Sequence, residues 1–370
     1  MSYLEEKRKI IPKLSLKTLK NTRLILAVIL IVFLVWRVVT VQMETQYGAD
    51  TWLRFALSGL IIGGMYALIA IGYTLVYGIL FMINFAHGEV MMLGAFGGYF
   101  VFEVLNNIKM PTAANPDEVF LNASPYVSVL LAFLVGMAVA SLSGFLLEKI
   151  AYRPLRNAPR LVPLISAIGA SIFLQNASQL LFGPRRRAYL NPEFLTRGAG
   201  WTINIGDSPV LITYTGVFSL ILSAILMVGL YLLVQRTKLG RSMRAVAEDK
   251  KTAALMGIDV NQVISQTFII SGALAGAAGV MWGIHNGLIN YYTGYIPGIK
   301  AFTAAVLGGI GNIPGAMIGG MVLGIIESVG PAALGLDFQL KDVIAFSILI
   351  LVLIFRPSGI LGEAVSEEKV

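Results

Sequence analysis

Residues 299–330 read IKAFTAAVLGGIGNIPGAMIGGMVLGIIESVG. A helix crosses the hydrocarbon of a bilayer in about 20 apolar residues, so this tract is too long for one crossing. Inside it lies Gly308-Gly309-Ile310-Gly311-Asn312-Ile313-Pro314-Gly315. Proline removes a backbone donor and glycine loosens a helix, which divides the tract into two segments at that point. A broken span of this kind implies an all-α polytopic membrane protein.

Outward from the tract, apolar runs recur at about 24–41, 53–78, 89–105, 126–147, 161–182, 210–234, 263–285 and 341–355. With 299–330 counted as two, the expectation is eight to ten transmembrane segments, the eighth being short. Composition agrees. The 370 residues are 56% hydrophobic and 13% charged, with a mean hydropathy of +0.78, whereas soluble domains carry about 25% charged residues. The chain has no cysteine, which excludes disulfides, thiolate metal sites and cysteine nucleophiles. Its two histidines, His87 and His285, lie far apart in the sequence and form no metal-binding pattern. The net charge of +8 is accounted for by basic loops on one side of a membrane rather than by nucleic acid.

Charge bias sets the expected orientation. Residues 1–23 carry Lys7, Arg8, Lys9, Lys13, Lys17, Lys20 and Arg23, and the run 24–41 behind them is too long for a signal-peptide core. This gives a basic cytoplasmic N-terminal segment and an uncleaved first span. Loops 148–160 and 235–262 are basic and fall inside, and loop 42–52 is acidic and falls outside. Loop 183–209, with Arg185, Arg186 and Arg187, alternates to the outside against the rule. Both termini are then cytoplasmic, with a transmembrane domain over 24–356 and a tail over 357–370. Within the external loop, Trp201–Ile205 alternates apolar and polar and suits a short strand.

Small residues spaced by four let membrane helices approach closely. Gly59/Gly63, Gly94/Gly98, Gly272/Gly276, Gly279/Gly283, Gly315/Gly319 and Gly320/Gly324 all have that spacing.

Ionisable groups within spans are functional candidates by default. Asn84, His87 and Glu89 join two apolar stretches at an inner helix end, where they line a pathway or gate, or else build a turn with Glu89 at a favoured helix N-terminus. Gly308, Gly311 and Asn312 mark the other interruption, and the two interruptions are expected to face one another. Glu327 reads as an interfacial or capping residue, and His285 as interfacial. No charged pair in the spans is placed to clamp a zwitterion. Hydrolytic triads, paired catalytic carboxylates and a G-x-x-x-x-G-K-[ST] phosphate loop are all absent, so any ATP that drives the protein binds another polypeptide. Residues 236–262, RTKLGRSMRAVAEDKKTAALMGIDVNQ, predict one short mixed-charge helix stopped by Gly257. The segment 241–257, with Arg241, Arg244, Ala247, Glu248, Asp249 and Gly257, suits docking onto a soluble partner.

Four stretches carry a resemblance: YALIAIGYTLVYGILFMINFAHGEVMMLGAF (66–96), GIKAFTAAVLGGIGNIPGAMIGGMVLGIIES (298–328), GRSMRAVAEDKKTAALMGIDV (240–260) and FRPSGILGE (355–363). They closely resemble the permease subunits of branched-chain amino-acid ABC importers, LivH type. The resemblance implies a related second permease subunit, two cytoplasmic ATPase subunits binding ATP and Mg, and a periplasmic amino-acid-binding protein, assembled in a bacterial inner membrane. The alternatives are a sibling permease for urea, short amides or sugars, a secondary transporter or channel, or a membrane-embedded enzyme. The scarcity of acids in the spans argues against proton coupling, and the missing catalytic constellation against an enzyme.

Overall fold

The computed structural model describes residues 16–45, 47–111, 115–156, 158–159, 161–205 and 208–362. Of the expected N-terminal segment 1–23, residues 1–15 lie outside the described residues, and 16–23 form the start of the first helix. Residues 363–370 of the tail also lie outside them.

Twelve helices are named in chain order: α1 Leu16–Thr45, α2 Ala49–Leu80, α3 His87–Asn107, α4 Pro125–Leu147, α5 Leu161–Phe182, α6 Tyr214–Arg236, α7 Lys238–Glu248, α8 Lys250–Leu255, α9 Val260–Asn286, α10 Tyr295–Gly308, α11 Ile313–Leu334 and α12 Lys341–Phe355. Among the described residues eight helical stretches are long and apolar enough to cross a membrane, and α10 is a shorter apolar helix. The protein is a multi-pass α-helical membrane protein. Two antiparallel ribbons cap one end: β1 Arg187–Ala188 with β4 Leu288–Ile289, and β2 Gly200–Ile205 with β3 Ser208–Thr213. The strand expected at Trp201–Ile205 is present. The run expected as a span from 210 begins instead as β3, because Val210–Thr213 pair with β2 before the helix starts at Tyr214.

The glycine pairs do the packing. A Cβ on Gly320 would lie 2.4 Å from the Ala67 backbone, and one on Gly63 2.9 Å from Met321 Cα, so α2 and α11 meet backbone to backbone. Gly94, Gly136 and Gly276 bring α3, α4 and α9 together in the same way. These contacts bury the middle of α2, most of α3 and most of α9. Large residues on α1, α4, α5 and α6, such as Trp36, Leu130, Phe173 and Ile225, stay exposed around them. Such an outer face is stable only in lipid or against another protein.

The break within 299–330 lies where the sequence put it. Gly309 and Gly311 take φ of 108° and 94°, a region other residues rarely adopt. Asn312 then caps α11 by accepting from Gly315 N at 3.0 Å. The single helix expected over 241–257 is two helices. Asp249 leaves helical geometry (φ −152°, ψ 113°), and its side chain accepts from Lys251 N to start α8. Gly257 does end the pair, at φ 83°.

Candidate functional site

Two helices begin away from the ends of the bundle, and their starting points touch. α2 ends at Leu80, Phe81 turns the chain at φ 55°, and residues 82–86 run back so that α3 starts at His87 beside Gly72. Asn84 organises the turn. Its Oδ1 accepts from Ala86 N at 3.1 Å and from Tyr152 OH at 2.5 Å, and its carbonyl accepts from His87 N at 3.1 Å. On the other side, residues 287–294 lead from the β4 end to the start of α10 at Tyr295. A Cβ on Gly88 would lie 2.5 Å from Gly294 O and 3.0 Å from Gly298 Cα. Gly88 is therefore required by the approach of α10, not by a turn of its own. Phe85 packs on Phe302 (5.8 Å between ring centroids), and Tyr73 on His87 (4.9 Å).

This corrects the expected pairing of the two interruptions. Residues 84–89 meet the start and middle of α10, with Gly88 at Gly294 and Gly298 and Phe85 at Phe302, whereas Gly308, Gly311 and Asn312 stand at and beyond the far end of this helix of about 21 Å. Gly308 and Asn312 are engaged there by the C-terminal segment. Leu361 N donates to Gly308 O at 2.9 Å, and Asn312 Nδ2 donates to Leu361 O at 2.9 Å.

Cavities flank the start of α10. One, of about 450 Å³, is lined by Tyr66, Trp282, Ile296, Lys300, Glu327 and Asp342 among others, and opens toward the β1–β4 ribbon. The second, of about 440 Å³, lies between α3, α5 and α10 and contains Tyr73, Phe85, Glu89, Ser171 and Gln175. Tyr292 lines both.

The first cavity holds a cluster that the sequence reading missed. Lys300 Nζ lies 2.7 Å from Glu327 Oε1 and 2.6 Å from Asp342 Oδ1, Lys341 Nζ lies 3.4 Å from Glu327 Oε1, and Tyr66 OH donates to Glu327 Oε2 at 3.0 Å. Lys300 and Glu327 are both buried. Glu327 is therefore not a lone interfacial or capping group but the buried centre of an ion cluster that joins α10, α11 and the start of α12. Lys300 and Glu327 lie 27 positions apart in the sequence, on two helices that only the break at 309–312 folds together. In the second cavity Glu89 is buried at 1% exposure. Its Oε1 accepts from Gln175 Nε2 at 2.7 Å and Ser171 Oγ at 3.2 Å, while Oε2 has no partner. His285, at the end of α9, lines the first cavity.

The basic end of the bundle presents α7 and α8. Met243 and Val246 bury one face of α7, and Arg241, Arg244, Glu248 and Asp249 are on the exposed side with Ala247 half-buried. Arg244 donates to the Val234 carbonyl and so ties α7 to the end of α6. Beneath α8, Glu148 is fully buried and paired with Arg156, which also reaches Asn261. Burial and the nearby Arg156 guanidinium hold Lys250 below the usual lysine range. At the tip, Leu255 and Met256 are 87% and 78% exposed. These two neighbouring side chains form a small exposed apolar tip on the basic end.

Residues 55–353 match the family model described as "Branched-chain amino acid transport system / permease component". The chain is 47% identical over 315 residues to the high-affinity branched-chain amino acid transport system permease protein BraD of Pseudomonas aeruginosa, covering 84% of this chain and 96% of that protein. It is 43% identical over 313 residues to the high-affinity branched-chain amino acid transport system permease protein LivH of Escherichia coli K12, at the same coverages. The autoinducer 2 import system permease protein LsrC of Yersinia enterocolitica is 28% identical over 62% of this chain and 59% of its own length. No solved structure matches the chain significantly.

Proposed function

The chain belongs to the family of branched-chain amino acid transport system permease components, and from that premise we propose that it carries branched-chain amino acids across a bacterial inner membrane as one permease subunit of an ATP-driven importer. The observation that carries the reading is similarity along nearly the whole length of BraD and LivH. It is supported by a fold in which the short helix α10 is broken from α11 and packs against the start of α3, as transport proteins use interrupted helices.

The work divides by location. ATP and Mg bind ATPase subunits in trans, since this sequence carries no phosphate loop. Those subunits receive α7, α8 and the Leu255–Met256 tip, at the end made cytoplasmic by its basic loops. A related second permease covers part of the exposed apolar face. A soluble amino-acid-binding protein docks at the ribbon end and selects the solute. Asn84, His87 and Glu89 stand on the path, and Gly308, Gly311 and Asn312 form the joint that couples α10 to the C-terminal segment.

The test is reconstitution of the chain with its ATPase, second permease and binding protein in proteoliposomes. Leucine uptake that requires both ATP and the loaded binding protein is expected. Uptake driven by an ion gradient without ATP would refute the proposal.

A further inference from the structure

Glu89 sits in the first turn of α3 and lines the 440 Å³ cavity between α3, α5 and α10. One carboxylate oxygen is held by Gln175 and Ser171, and the other is buried without a donor. Burying an unpaired charge is costly, so the position favours a ligand that brings a positive group. Among the described residues no lysine, arginine or histidine lines this cavity. The neighbouring cluster differs, because Lys300 and Lys341 already neutralise Glu327 and Asp342. Of the carboxylates lining these two cavities, Glu89 alone has no cation paired with it among the described residues.

We propose that Glu89 Oε2 receives the α-ammonium of the amino acid in transit. Ser171 and Gln175 are positioning residues that fix the carboxylate through its other oxygen. The aliphatic part of the solute lies on Phe85, Ile168 and Ile172, which form the apolar wall. The phenols of Tyr292 and Tyr295, also in the lining, can donate to the solute carboxylate. One ionic contact without a matching fixed cation gives weak binding, which suits a site that must also release its cargo. The inference rests on the transport reading above and names the group within this chain that handles the substrate.

Two measurements test it separately from that reading. In the first, leucine, isopentylamine and 4-methylpentanoate are added at millimolar concentration to the wild-type transporter complex in nanodiscs, and saturation-transfer NMR reads contact. Leucine and the amine are expected to give signal, and the ammonium-free acid at least fivefold less; equal signal from all three overturns the proposal. In the second, Glu89→Gln and Glu89→Asp are reconstituted with the partner subunits. Glu89→Gln is expected to lower leucine uptake per ATP hydrolysed tenfold or more while the loaded binding protein still stimulates hydrolysis, with Glu89→Asp retaining most uptake. Wild-type uptake by Glu89→Gln, or a proportional fall in uptake and hydrolysis, overturns it. Should Glu89→Gln fail to assemble, Gln175→Leu replaces it, with an expected threefold or greater fall in the same ratio; no change there also overturns the proposal. Loss of ATP dependence in the wild type would instead sink the transport reading, and the NMR comparison would still decide the role of Glu89.

Discussion

Asp249 separates α7 from α8 and holds α8 by its side chain. Oδ1 accepts from Lys251 N at 2.8 Å and Oδ2 from Thr252 Oγ1 at 2.5 Å. These bonds, the Thr252 hydroxyl foremost, hold its carboxyl below the usual aspartate range. A folded-state pKa below the unfolded value means a stabilising contribution that is complete above the ordinary aspartate range and lost as pH falls through the depressed value. Amide exchange at 251–255, corrected for intrinsic rate, should therefore accelerate in acid, and Asp249→Asn should shift or abolish that acid transition. An unchanged profile in Asp249→Asn would show that another group sets it. Individual residues were legible in proportion to how local their roles are. The break at Gly308–Gly315 and Gly257 as a stop could be read from neighbours in sequence. Lys300 and the partner-free oxygen of Glu89 could not, because their meaning depends on α11, α12 and α5 arriving from elsewhere in the chain.

Between elements, α2 and α11 are held by glycine contacts on one side and tied to α10 and α12 by the ion cluster on the other. Gly320→Val would force a side chain into the Ala67 backbone. Overpacking of this kind costs about 1–3 kcal/mol, so the thermal midpoint of the purified protein should fall, whereas Gly229→Ala, where a Cβ meets open space, should leave it in place. In the cluster, Lys300→Met leaves Glu327 buried with less compensation, and breaking a buried pair costs about 3–5 kcal/mol. The double variant Lys300→Met/Glu327→Gln should recover a large part of that loss. A double-mutant cycle on the unfolding free energy measures this, and additive losses would mean that the two side chains do not depend on one another. The glycine spacings predicted close packing on every pair without saying which helices would meet. The break at 309–312 was readable because glycine and proline act on their own backbone. The break at Asp249 was not, because Ser242–Met256 is otherwise made of helix-forming residues and only the side-chain cap of α8 reveals it.

Across the whole molecule, the two cavities share Tyr292 and lie on either side of the start of α10. A carrier that opened both at once would leak, so alternating access requires that one close as the other opens. α10 is suited to the exchange. It is short, it closely approaches α3 at Gly88, Gly294 and Gly298 near its start, and its far end is joined to α11 and the C-terminal segment through Gly308 and Gly309. Movement imposed on the C-terminal segment by the proposed nucleotide-binding partners would thus reach both cavities through one element. The chain has no cysteine, so single cysteines can report on each cavity without background. Ile296→Cys lies in the first cavity and Ile168→Cys in the second. In the reconstituted complex, labelling by a membrane-impermeant maleimide should rise at one position and fall at the other when hydrolysis is trapped in the ATP-bound state. A parallel rise or fall at both would mean that the cavities belong to a single opening, and that α10 does not act as the divider between them.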